Sequence, residues 1–405
     1  MTTAAIDATP TGLSRQTGRV IVLLALVAFG SASSMRVMDA AIPRLATDFD
    51  VGLRQASNVV TVFAVAYGCL QIVFGPSGDR FGKLKVVLFA CCCGALASAA
   101  CALAPRFGFL LAARALAGAS MASMMPLSMA WIGDNVPYEQ RQPVLARFLM
   151  GQITGIAAGQ AAGGIATDLV SWRLPFVFLA VWFVLMAVLL LRVVRRPEHR
   201  SSGGAATLGL VAQCRSVLVR PWARRVLVTV FVEGLALYGP FAFFATHLHI
   251  KHGLSLGLAG SMMVAFAAGG VSYAFGAGRL LGRLGEAGLA QGGAVLMFVG
   301  IALVALGPAT LPTALFTIPG LFAMGLGFYM LHNTLQINAT QMAPDSRGTA
   351  VALFASSFFL GQSTGVALAG FAVERVQTTP VMLVGAATVL VVGTVFALMR
   401  GRRDR

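Results

Sequence analysis

Four charged side chains lie inside otherwise apolar stretches of the chain, and their types suggest where chemistry could occur. Arg36 and Asp39 are three residues apart, Arg114 lies in a later stretch, and Glu233 lies just beyond the middle of the sequence. A carboxylate in apolar surroundings can take up and release a proton, and a buried arginine can hold an anion or neutralise an acid. Which role applies depends on the segments that carry the four residues.

The composition places those segments in a membrane. Of the 405 residues, 58% are hydrophobic and 11% are charged, whereas soluble domains carry about 25% charged residues. Apolar runs of roughly 20 residues, long enough to cross a bilayer as helices, recur along the sequence. The predicted fold class is therefore an all-α polytopic membrane protein. We predict twelve spans, at 20–43, 55–76, 86–104, 108–131, 143–166, 174–194, 225–247, 257–280, 287–307, 312–336, 348–372 and 379–399.

Basic residues are distributed unevenly between the segments that connect these spans. With both termini in the cytoplasm, 22 of the 30 Lys and Arg fall on the cytoplasmic side and six on the outer side. Basic loops favour the cytoplasm, so this distribution predicts the orientation and explains the net charge of +16 without a nucleic-acid partner. Residues 1–18 are polar, and the next apolar run is too long for a signal peptide, so we expect it to be the first span.

A basic connection rich in Arg, Ser and Gly divides the predicted spans into two groups of six. We predict a cytoplasmic tail at 1–18, a first six-helix half at 19–194 and a cytoplasmic linker at 195–224. The second half follows at 225–399, with a basic C-terminal tail at 400–405.

The two halves repeat a short charged segment that we expect to form a turn between spans. The first copy is Gly75-Pro-Ser-Gly-Asp79-Arg80-Phe-Gly82-Lys83, and a weaker second copy lies about 203 residues later, at Gly278-Arg-Leu-Leu-Gly282-Arg283-Leu-Gly285. The repeat is unequal, because Gly282 takes the place of the acid.

A glycine pattern also repeats in helices 5 and 11. Glycines lie 14, 18 and 23 residues after Arg141 and again after Arg347, at Gly155, Gly159 and Gly164 and at Gly361, Gly365 and Gly370. Two six-helix repeats around a site near the membrane midplane are typical of secondary transporters.

Taken together, these motifs resemble the major facilitator superfamily of membrane transporters over nearly the whole chain. The Gly75–Lys83 segment resembles the family signature between helices 2 and 3, although Leu84 stands where a second basic residue is usual. The helix 4 sequence Arg114-Ala-Leu-Ala-Gly118 resembles the signature of proton-coupled members. The helix 5 sequence Gly155-x3-Gly159-Gln160-x2-Gly163-Gly164 resembles the antiporter signature, with Gln160 in place of proline, and Trp172-Arg173 before helix 6 also fits.

The resemblance implies that the charged turn gates the transporter. An anionic Asp79, with Arg80 and Lys83, would hold the cytoplasmic helix ends together when the protein opens outward, because helix N-termini there are electropositive. The alternative is a plain solvated loop, and the helix 5 glycines could serve close packing alone. The predicted gating residues are Gly75, Asp79, Arg80, Gly82, Lys83, Gly155, Gly159, Gly163, Gly164, Arg283 and Arg347.

The charged residues within the spans are the candidates for substrate binding and proton coupling. Arg36 and Asp39 lie one turn apart on helix 1, and Arg114 is at comparable depth on helix 4. They form either a self-neutralised Arg36–Asp39 pair near the headgroups or a three-residue cluster on the cavity wall. In the cluster, protonation of Asp39 would compete with substrate or with the arginines.

Glu233 is predicted near the middle of helix 7 as a lone buried carboxylate, with Tyr238 following it. Burial would keep it protonated near neutral pH, as a proton carrier, a counter-charge for a cationic substrate or a structural hydrogen-bonding group. On helix 10, His332 and Asn333 either line a polar vestibule or bond between helices.

Three histidines, His247, His249 and His252, cluster at the outer end of helix 7. We interpret them as interfacial, because metal ligation needs convergent geometry and supporting groups. No metal or cofactor is therefore expected, and the six cysteines are expected to be small packing residues.

The sequence predicts a transporter that is not an enzyme, because it carries no His-Glu-x-x-His motif and no phosphate-binding loop. The resemblance to twelve-helix drug:proton antiporters implies proton-coupled efflux of small amphipathic or hydrophobic molecules, as in multidrug resistance. The alternative is a proton-coupled uptake permease for a small organic anion held by Arg36 and Arg114. We expect a monomer in the bacterial inner membrane, with a small-molecule substrate, protons and the lipid bilayer as partners.

Overall fold

A computed structural model describes residues 14–195, 210–308 and 312–403. These residues form helices joined by short connections, and no strand occurs among them, as the sequence predicted. We call α1–α8 the first half and α10–α16 the second half. The first half comprises α1 (Arg15–Arg36), α2 (Ile42–Asp48), α3 (Leu53–Phe81), α4 (Lys83–Ala102), α5 (Phe107–Met121), α6 (Met124–Asn135), α7 (Tyr138–Leu169) and α8 (Leu174–Val194). A short α9 (Leu210–Leu218) precedes α10 (Pro221–Phe241), α11 (Phe244–His252), α12 (Leu256–Met262), α13 (Val264–Leu306), α14 (Ala314–Gln341), α15 (Arg347–Val376) and α16 (Thr378–Arg403).

Ten helical segments in the described residues are long and apolar enough to cross a membrane. One of them, Leu256–Leu306, comprises α12 and α13 and covers two predicted spans, which are divided by the non-helical residue Gly285 within α13. The 32-residue α7, which holds another predicted span, is not among the ten. The count of twelve spans and the cytoplasmic position of the termini therefore stay predictions.

Four predicted spans are broken helices rather than single rods. The breaks separate α1 from α2, α5 from α6, α10 from α11 and α12 from α13. Arg36 is the last residue of α1, and Asp39 lies in the turn that precedes α2. Irregular backbone within a membrane requires protein or a polar cavity around it. The four breaks therefore indicate that the broken helices face the interior of the protein at these positions.

Two large hydrophobic clusters form the core of the protein. One is built almost entirely from residues between Val20 and Leu190, and the other almost entirely from residues between Val217 and Ala397. The first cluster also takes in Phe243, Val366 and neighbouring residues of the second half, so the halves share buried apolar surface.

The repeated charged segments are helical for most of their length, so the prediction that they form turns is wrong for most of their residues. The helix α3 continues through Asp79 and Arg80 to Phe81, and a single residue, Gly82, separates it from α4. Gly82 has φ of 92° and its counterpart Gly285 has φ of 64°, a region that residues with a Cβ rarely adopt. The repeat therefore appears in the backbone as two glycine corners at equivalent places.

Glycines bring α7 into backbone contact with α1. A Cβ added at any of four α7 glycines would overlap a backbone carbonyl of α1, and the carbonyls, like the glycines, are four residues apart. Ser33 donates a hydrogen bond to the carbonyl oxygen of Gly155 at 2.9 Å across the same contact. The contacting pairs are Gly151 with Ala25, Gly155 with Phe29, Gly159 with Ser33 and Gly163 with Val37.

Candidate substrate and coupling site

Arg36 and Asp39 form a buried ion pair at the break between α1 and α2. The guanidinium Nη1 lies 3.5 Å from Asp39 Oδ2, and the two side chains are 2% and 3% exposed. Gln160 and Arg114 lie close enough to interact with the Asp39 carboxylate, but neither carboxylate oxygen has a hydrogen-bond partner of good geometry among the described residues. The pair is thus shielded from solvent inside the protein, and Asp39 retains unused acceptor capacity.

Arg36 also reaches across to the second half. Its guanidinium carbon lies 4.1 Å from the centre of the Tyr238 ring and 5.8 Å from that of Phe241. Its Nη2 donates a hydrogen bond to Gln362 Oε1 at 3.2 Å. One side chain of α1 therefore contacts α10 and α15, and it connects the first half with the second near the centre of the molecule.

Arg114 binds backbone carbonyls, and its predicted position on a cavity wall stays a prediction. Its Nε donates to the Val59 carbonyl at 3.0 Å and its Nη1 to the Ser34 carbonyl at 2.9 Å. The guanidinium carbon also lies 4.3 Å from the centre of the Phe63 ring. Arg114 is fully buried, and its two hydrogen bonds connect α5 with both α1 and α3.

Glu233 is not alone, which corrects the predicted lone carboxylate. His332 Nδ1 and Glu233 Oε2 are 2.8 Å apart, and Glu233 is fully buried whereas 16% of the His332 side chain is exposed. The second carboxylate oxygen, Oε1, has no hydrogen-bond partner among the described residues. Helix α14 therefore presents an imidazole, partly open to its surroundings, to a buried acid on α10.

Aromatic rings connect the Glu233–His332 pair with Tyr238. The His332 ring stacks on Phe328 at 4.8 Å and lies 4.6 Å from Phe358. Both phenylalanines also lie 5.5 Å from the Tyr238 ring, at 90° to it. A continuous set of contacts thus runs from Asp39 and Arg36 through these rings to Glu233.

Asn333, the neighbour of His332 on α14, turns to a different partner. Its side chain lies close enough to Tyr273 on α13 to interact with the hydroxyl group. The structure therefore joins five of the predicted site residues through contacts and leaves Asn333 beside the group. The five are Arg36, Asp39, Glu233, Tyr238 and His332, and Arg114 interacts electrostatically with Asp39.

On one side of the molecule, where α3 begins and α7 and α15 end, polar contacts join the two halves. We call it the closed side. Glu374 of α15 accepts a hydrogen bond from the Arg54 backbone N–H at 2.9 Å. Asp168 at the end of α7 accepts hydrogen bonds from the backbone N–H groups of Leu256, at 3.2 Å, and Gly257.

On the opposite side, the ion pairs that the structure describes remain within one half. Lys83 Nζ binds Asp134 Oδ2 at 2.8 Å in the first half, and Arg400 Nε binds Glu286 Oε2 at 2.7 Å in the second. Lys83 was predicted to act between helix ends, and its partner here belongs to its own half.

The remaining charged gating candidates are exposed. Arg80 lies over the ring of the adjacent Phe81 at 5.2 Å, and Arg283 and Arg347 are exposed at or near helix ends. The surroundings of Gly75 and the side chain of Asp79 are outside what the structure describes, although both residues lie in α3. The predicted gating role of these residues stays a prediction.

The repeated glycines serve two different contacts. In α7, Gly155 and Gly159 pack on α1, and in α15, Gly361 and Gly365 pack in the same way on α10. The third glycine of each set contacts the other half: Gly164 meets Leu256 and Gly257 of α12, and Gly370 meets Arg54 and Ser57 of α3. The first two glycines therefore pack helices within one half, the third lies at the junction of the halves, and a gating role for them stays a prediction.

The three histidines of α11 do not converge on one point. His247 Nδ1 lies 2.6 Å from Thr378 Oγ1, whereas His249 Nδ1 lies 2.7 Å from the Leu254 carbonyl oxygen. Within the described residues, no group of three or more His, Cys, Asp or Glu could hold a metal ion.

Sequence reasoning missed three residues of the site, Gln362, Phe328 and Phe358. Helical spacing could have indicated the two phenylalanines in part, because Phe328 lies one turn before His332 and Phe358 one turn before Gln362. That spacing gave no means of choosing among the 27 phenylalanines.

A helical bundle whose two halves meet around buried charged groups is the architecture of a secondary transporter. Residues 24–365 match the model of the Major Facilitator Superfamily, and the chain belongs to this family. It is an integral, multi-pass protein of the bacterial inner membrane.

The relatives agree with this family. The uncharacterized MFS-type transporter YceJ of Bacillus subtilis is 25% identical over 347 residues, 83% of this chain and 84% of YceJ. The lincomycin resistance protein of Streptomyces lincolnensis is 33% identical over 180 residues, 44% of this chain and 37% of that protein. The multidrug export protein EmrB of Escherichia coli K12 is 28% identical over 180 residues, 43% of this chain and 35% of EmrB.

Solved structures show the same fold. The D323A mutant of the nucleoside transporter NupG superposes with a TM-score of 0.79 at 13% identity, over 94% of this chain and 99% of that one. A bacterial homologue of the human lysosomal transporter Spinster, in an inward-facing and unoccupied conformation, gives 0.73 at 18% identity, over 96% and 98%.

Proposed function

We propose that this transporter works by alternating access and exports small amphipathic or hydrophobic molecules in exchange for protons. The observation that carries the proposal is the buried Glu233–His332 pair, in which an acid and a base share a 2.8 Å contact. A proton bound by such a pair changes its net charge, and a charge buried in the membrane alters the balance between conformations.

Asp39 supplies a second proton-binding group in the other half. Its carboxylate competes with Tyr238 and Gln362 for the same arginine, since all three contact Arg36. Protonation of Asp39 would weaken its hold on the guanidinium and strengthen the contact of Arg36 with the second half. Proton binding at Asp39 is thereby coupled, through the Arg36 side chain, to the contact between the two halves.

The closed side supports an inward-facing form. The predicted orientation places Arg54, Asp168 and Glu374 at the outer surface, so the contacts between the halves there would seal the site from outside. A drug exporter must accept its substrate from the cytoplasm or the inner leaflet in such a form. Relatives described as a lincomycin resistance protein and a multidrug export protein agree with this direction.

Uptake of a small organic anion receives less support. That alternative needs Arg36 and Arg114 to hold a carboxylate, yet Arg114 donates to two backbone carbonyls and Arg36 is engaged by Asp39 and Gln362. These partners occupy part of each guanidinium, and only Arg36 Nε and Nη1 and Arg114 Nη2 lack a hydrogen-bond partner among the described residues.

Flux in proteoliposomes with an imposed pH gradient tests the proposal. Purified protein is reconstituted, and uptake of a fluorescent lipophilic amine, a carboxylate dye and a neutral lipophile is followed with and without the gradient. We expect gradient-dependent movement of an amphipathic compound against its own gradient, reduced at least tenfold by Glu233→Gln and by Asp39→Asn.

Glu286→Gln is the matched control, because Glu286 is a carboxylate of the second half that binds Arg400 outside the site. It should keep the response to the pH gradient. Flux of the amphipathic compound that ignores the gradient in the wild type, or a double Asp39→Asn, Glu233→Gln variant with full activity, would refute proton coupling through these groups.

A further inference from the structure

An open groove runs along the surface of the first half, between the beginnings of α1 and α7. Its volume is about 990 Å³, at the upper end of the roughly 300–1,000 Å³ that ligand sites occupy. Every described residue that lines it belongs to α1, to the N-cap of α1 or to α7. The groove is therefore separate from the buried charged residues where the two halves meet.

One end of this groove is basic. Arg15, Arg19 and Arg147 line it, and no Asp or Glu is among the described residues that do so. Arg19 and Arg147 are exposed, and neither guanidinium makes an ion pair or a hydrogen bond within the part of the chain that the structure describes. The electropositive beginning of α1 lies at the same end. Two guanidinium groups are thus available to an anion, and their planar forks match the geometry of a phosphate.

The packing of α1 on α7 brings Arg19 and Arg147 to similar depth. Gly151 of α7 contacts Ala25 of α1, and the following contacts between these helices recur every four residues on both. Continuing this register back by one turn places Arg147 level with Ile21, two residues beyond Arg19. With a rise of 1.5 Å per residue, the two arginines differ in depth by about 3 Å. A single phosphate group can therefore contact both.

Beyond the arginines, the groove is apolar. Val22, Leu26 and Phe29 line it, and 59% of Val22 is exposed, so the apolar surface is open to the surrounding lipid. Trp182 of α8 packs on the Phe29 ring at 5.3 Å and donates a hydrogen bond to the Leu26 carbonyl at 3.1 Å. Phe29 lies ten residues after Arg19, which is about 15 Å along the helix axis. This length is half of the hydrocarbon core of a bilayer, which is about 30 Å thick.

We propose that the groove binds an anionic phospholipid, with the phosphate between Arg19 and Arg147 and an acyl chain along the apolar surface. The predicted orientation places the headgroup in the cytoplasmic leaflet, where basic pockets between helices attract acidic lipids. A zwitterionic headgroup fits less well, because its ammonium group would lie beside two guanidinium groups without a carboxylate to compensate it. The lipid is a ligand of α1 and α7 and not a transported substrate. The inference therefore does not depend on what the protein exports.

Native mass spectrometry of the purified protein in detergent tests the proposal. The protein is titrated separately with dioleoylphosphatidylglycerol and dioleoylphosphatidylcholine, which share their acyl chains and differ in headgroup charge. We expect the first phosphatidylglycerol to bind at least fivefold more tightly than the first phosphatidylcholine. Arg19→Gln combined with Arg147→Gln should remove this preference, whereas Arg19→Lys combined with Arg147→Lys keeps both charges and should retain it.

Arg224→Gln combined with Arg279→Gln is the matched control. Both arginines are exposed, belong to the second half and lie outside the groove, so the variant loses the same net charge elsewhere. It should keep the preference of the wild type. An equal loss of preference in this control would show that net charge alone attracts the lipid and would refute a site at Arg19 and Arg147.

Gly18→Trp tests the groove itself. Gly18 lines the groove, and a Cβ added there meets no atom within 4 Å, so the indole can enter the groove without a clash. We expect this variant to bind phosphatidylglycerol at least fivefold more weakly than the wild type. Gel filtration and thermal unfolding of each variant establish that it is folded.

Three results would overturn the proposal. The first is equal affinity of the wild type for the two lipids. The second is undiminished phosphatidylglycerol binding by either the Arg19→Gln, Arg147→Gln protein or Gly18→Trp. The third is displacement of the lipid by an equal concentration of glycerol 3-phosphate, because the arginines would then recognise a soluble phosphate and the apolar surface would contribute nothing.

Discussion

Gly164 and Gly370 occupy equivalent positions in the two halves, and each packs against the opposite half. Gly164 lies on Leu256 and Gly257 at the start of α12, and Gly370 lies on Arg54 and Ser57 at the start of α3. Both contacts are on the closed side, beside the hydrogen bonds of Asp168 and Glu374. The internal repeat therefore places one close-packed glycine on each side of the junction.

Gly164→Leu should open the closed side. A Cβ at this position would overlap the Leu256 backbone carbonyl, which cannot move as a flexible side chain would. We expect the population of molecules in which the closed side is sealed to fall at least tenfold. This change corresponds to a free-energy difference of about 1.4 kcal/mol. Disulfide formation between Arg54→Cys and Glu374→Cys, with the six native cysteines replaced by alanine, measures this.

The control for Gly164→Leu is Gly133→Ala, since a Cβ at Gly133 has no atom within 4 Å. This variant should form the disulfide at the rate of the parent. An unchanged rate in Gly164→Leu would mean that the glycine does not hold the halves together.

Replacing either corner glycine should destabilise the protein. Gly82 and Gly285 have φ of 92° and 64°, and a residue with a Cβ costs about 1–2 kcal/mol in such a conformation. We expect Gly82→Ala and Gly285→Ala each to lower the thermal unfolding temperature in detergent. Gly278→Ala, in a helix with no atom within 4 Å of an added Cβ, should leave it unchanged or raise it. Equal temperatures for all three variants would show that the corners carry no strain.

His332→Gln should uncouple transport from pH while it preserves the fold. Glutamine can still donate a hydrogen bond to Glu233, but it cannot take up a proton as the imidazole does. We expect gradient-driven flux to fall at least tenfold while exchange of labelled for unlabelled substrate continues. A pH profile of both activities measures the difference, with Thr334→Ala on the same helix as the control. Loss of both activities in equal measure would assign His332 to structure alone.

Arg114 should matter more for stability than for coupling. Arg114→Leu removes two charge-assisted hydrogen bonds to backbone carbonyls, each with a contribution of about 1.5–3 kcal/mol. Arg114→Lys can keep one of them and should be intermediate. Thermal unfolding in detergent ranks the three proteins. A stable Arg114→Leu protein that fails only to bind substrate would contradict this assignment and return Arg114 to the binding site.

The sequence predicted the helical fold and the membrane location because these follow from composition and from the length of apolar runs. It also indicated Glu233 and Arg36, because a charged residue within an apolar run can be recognised from the sequence alone. The partners of these residues could not be found in that way. His332 is 99 residues from Glu233, and Gln362 is 326 residues from Arg36. Only the packing of the two halves brings such residues together.

The turn between α3 and α4 was predicted to be longer than it is, because the sequence pattern does not show where the helix ends. Glycine and charge next to each other indicate a break, but they do not say how many residues it takes. The helix persists through Asp79 because the preceding apolar helix needs only one residue with positive φ to reverse direction. The equivalence of Gly82 and Gly285 was visible in the spacing, whereas their common backbone conformation was not.

A connection of one residue confines any change of direction between the helices it joins to two dihedral angles. The direction of α4 relative to α3 is set by a single pair of dihedral angles at Gly82, and the same holds at Gly285 within α13. Glycine gives that pair more freedom than any other residue would. Each half therefore has one backbone position at which the angle between consecutive helices can change while both helices stay intact.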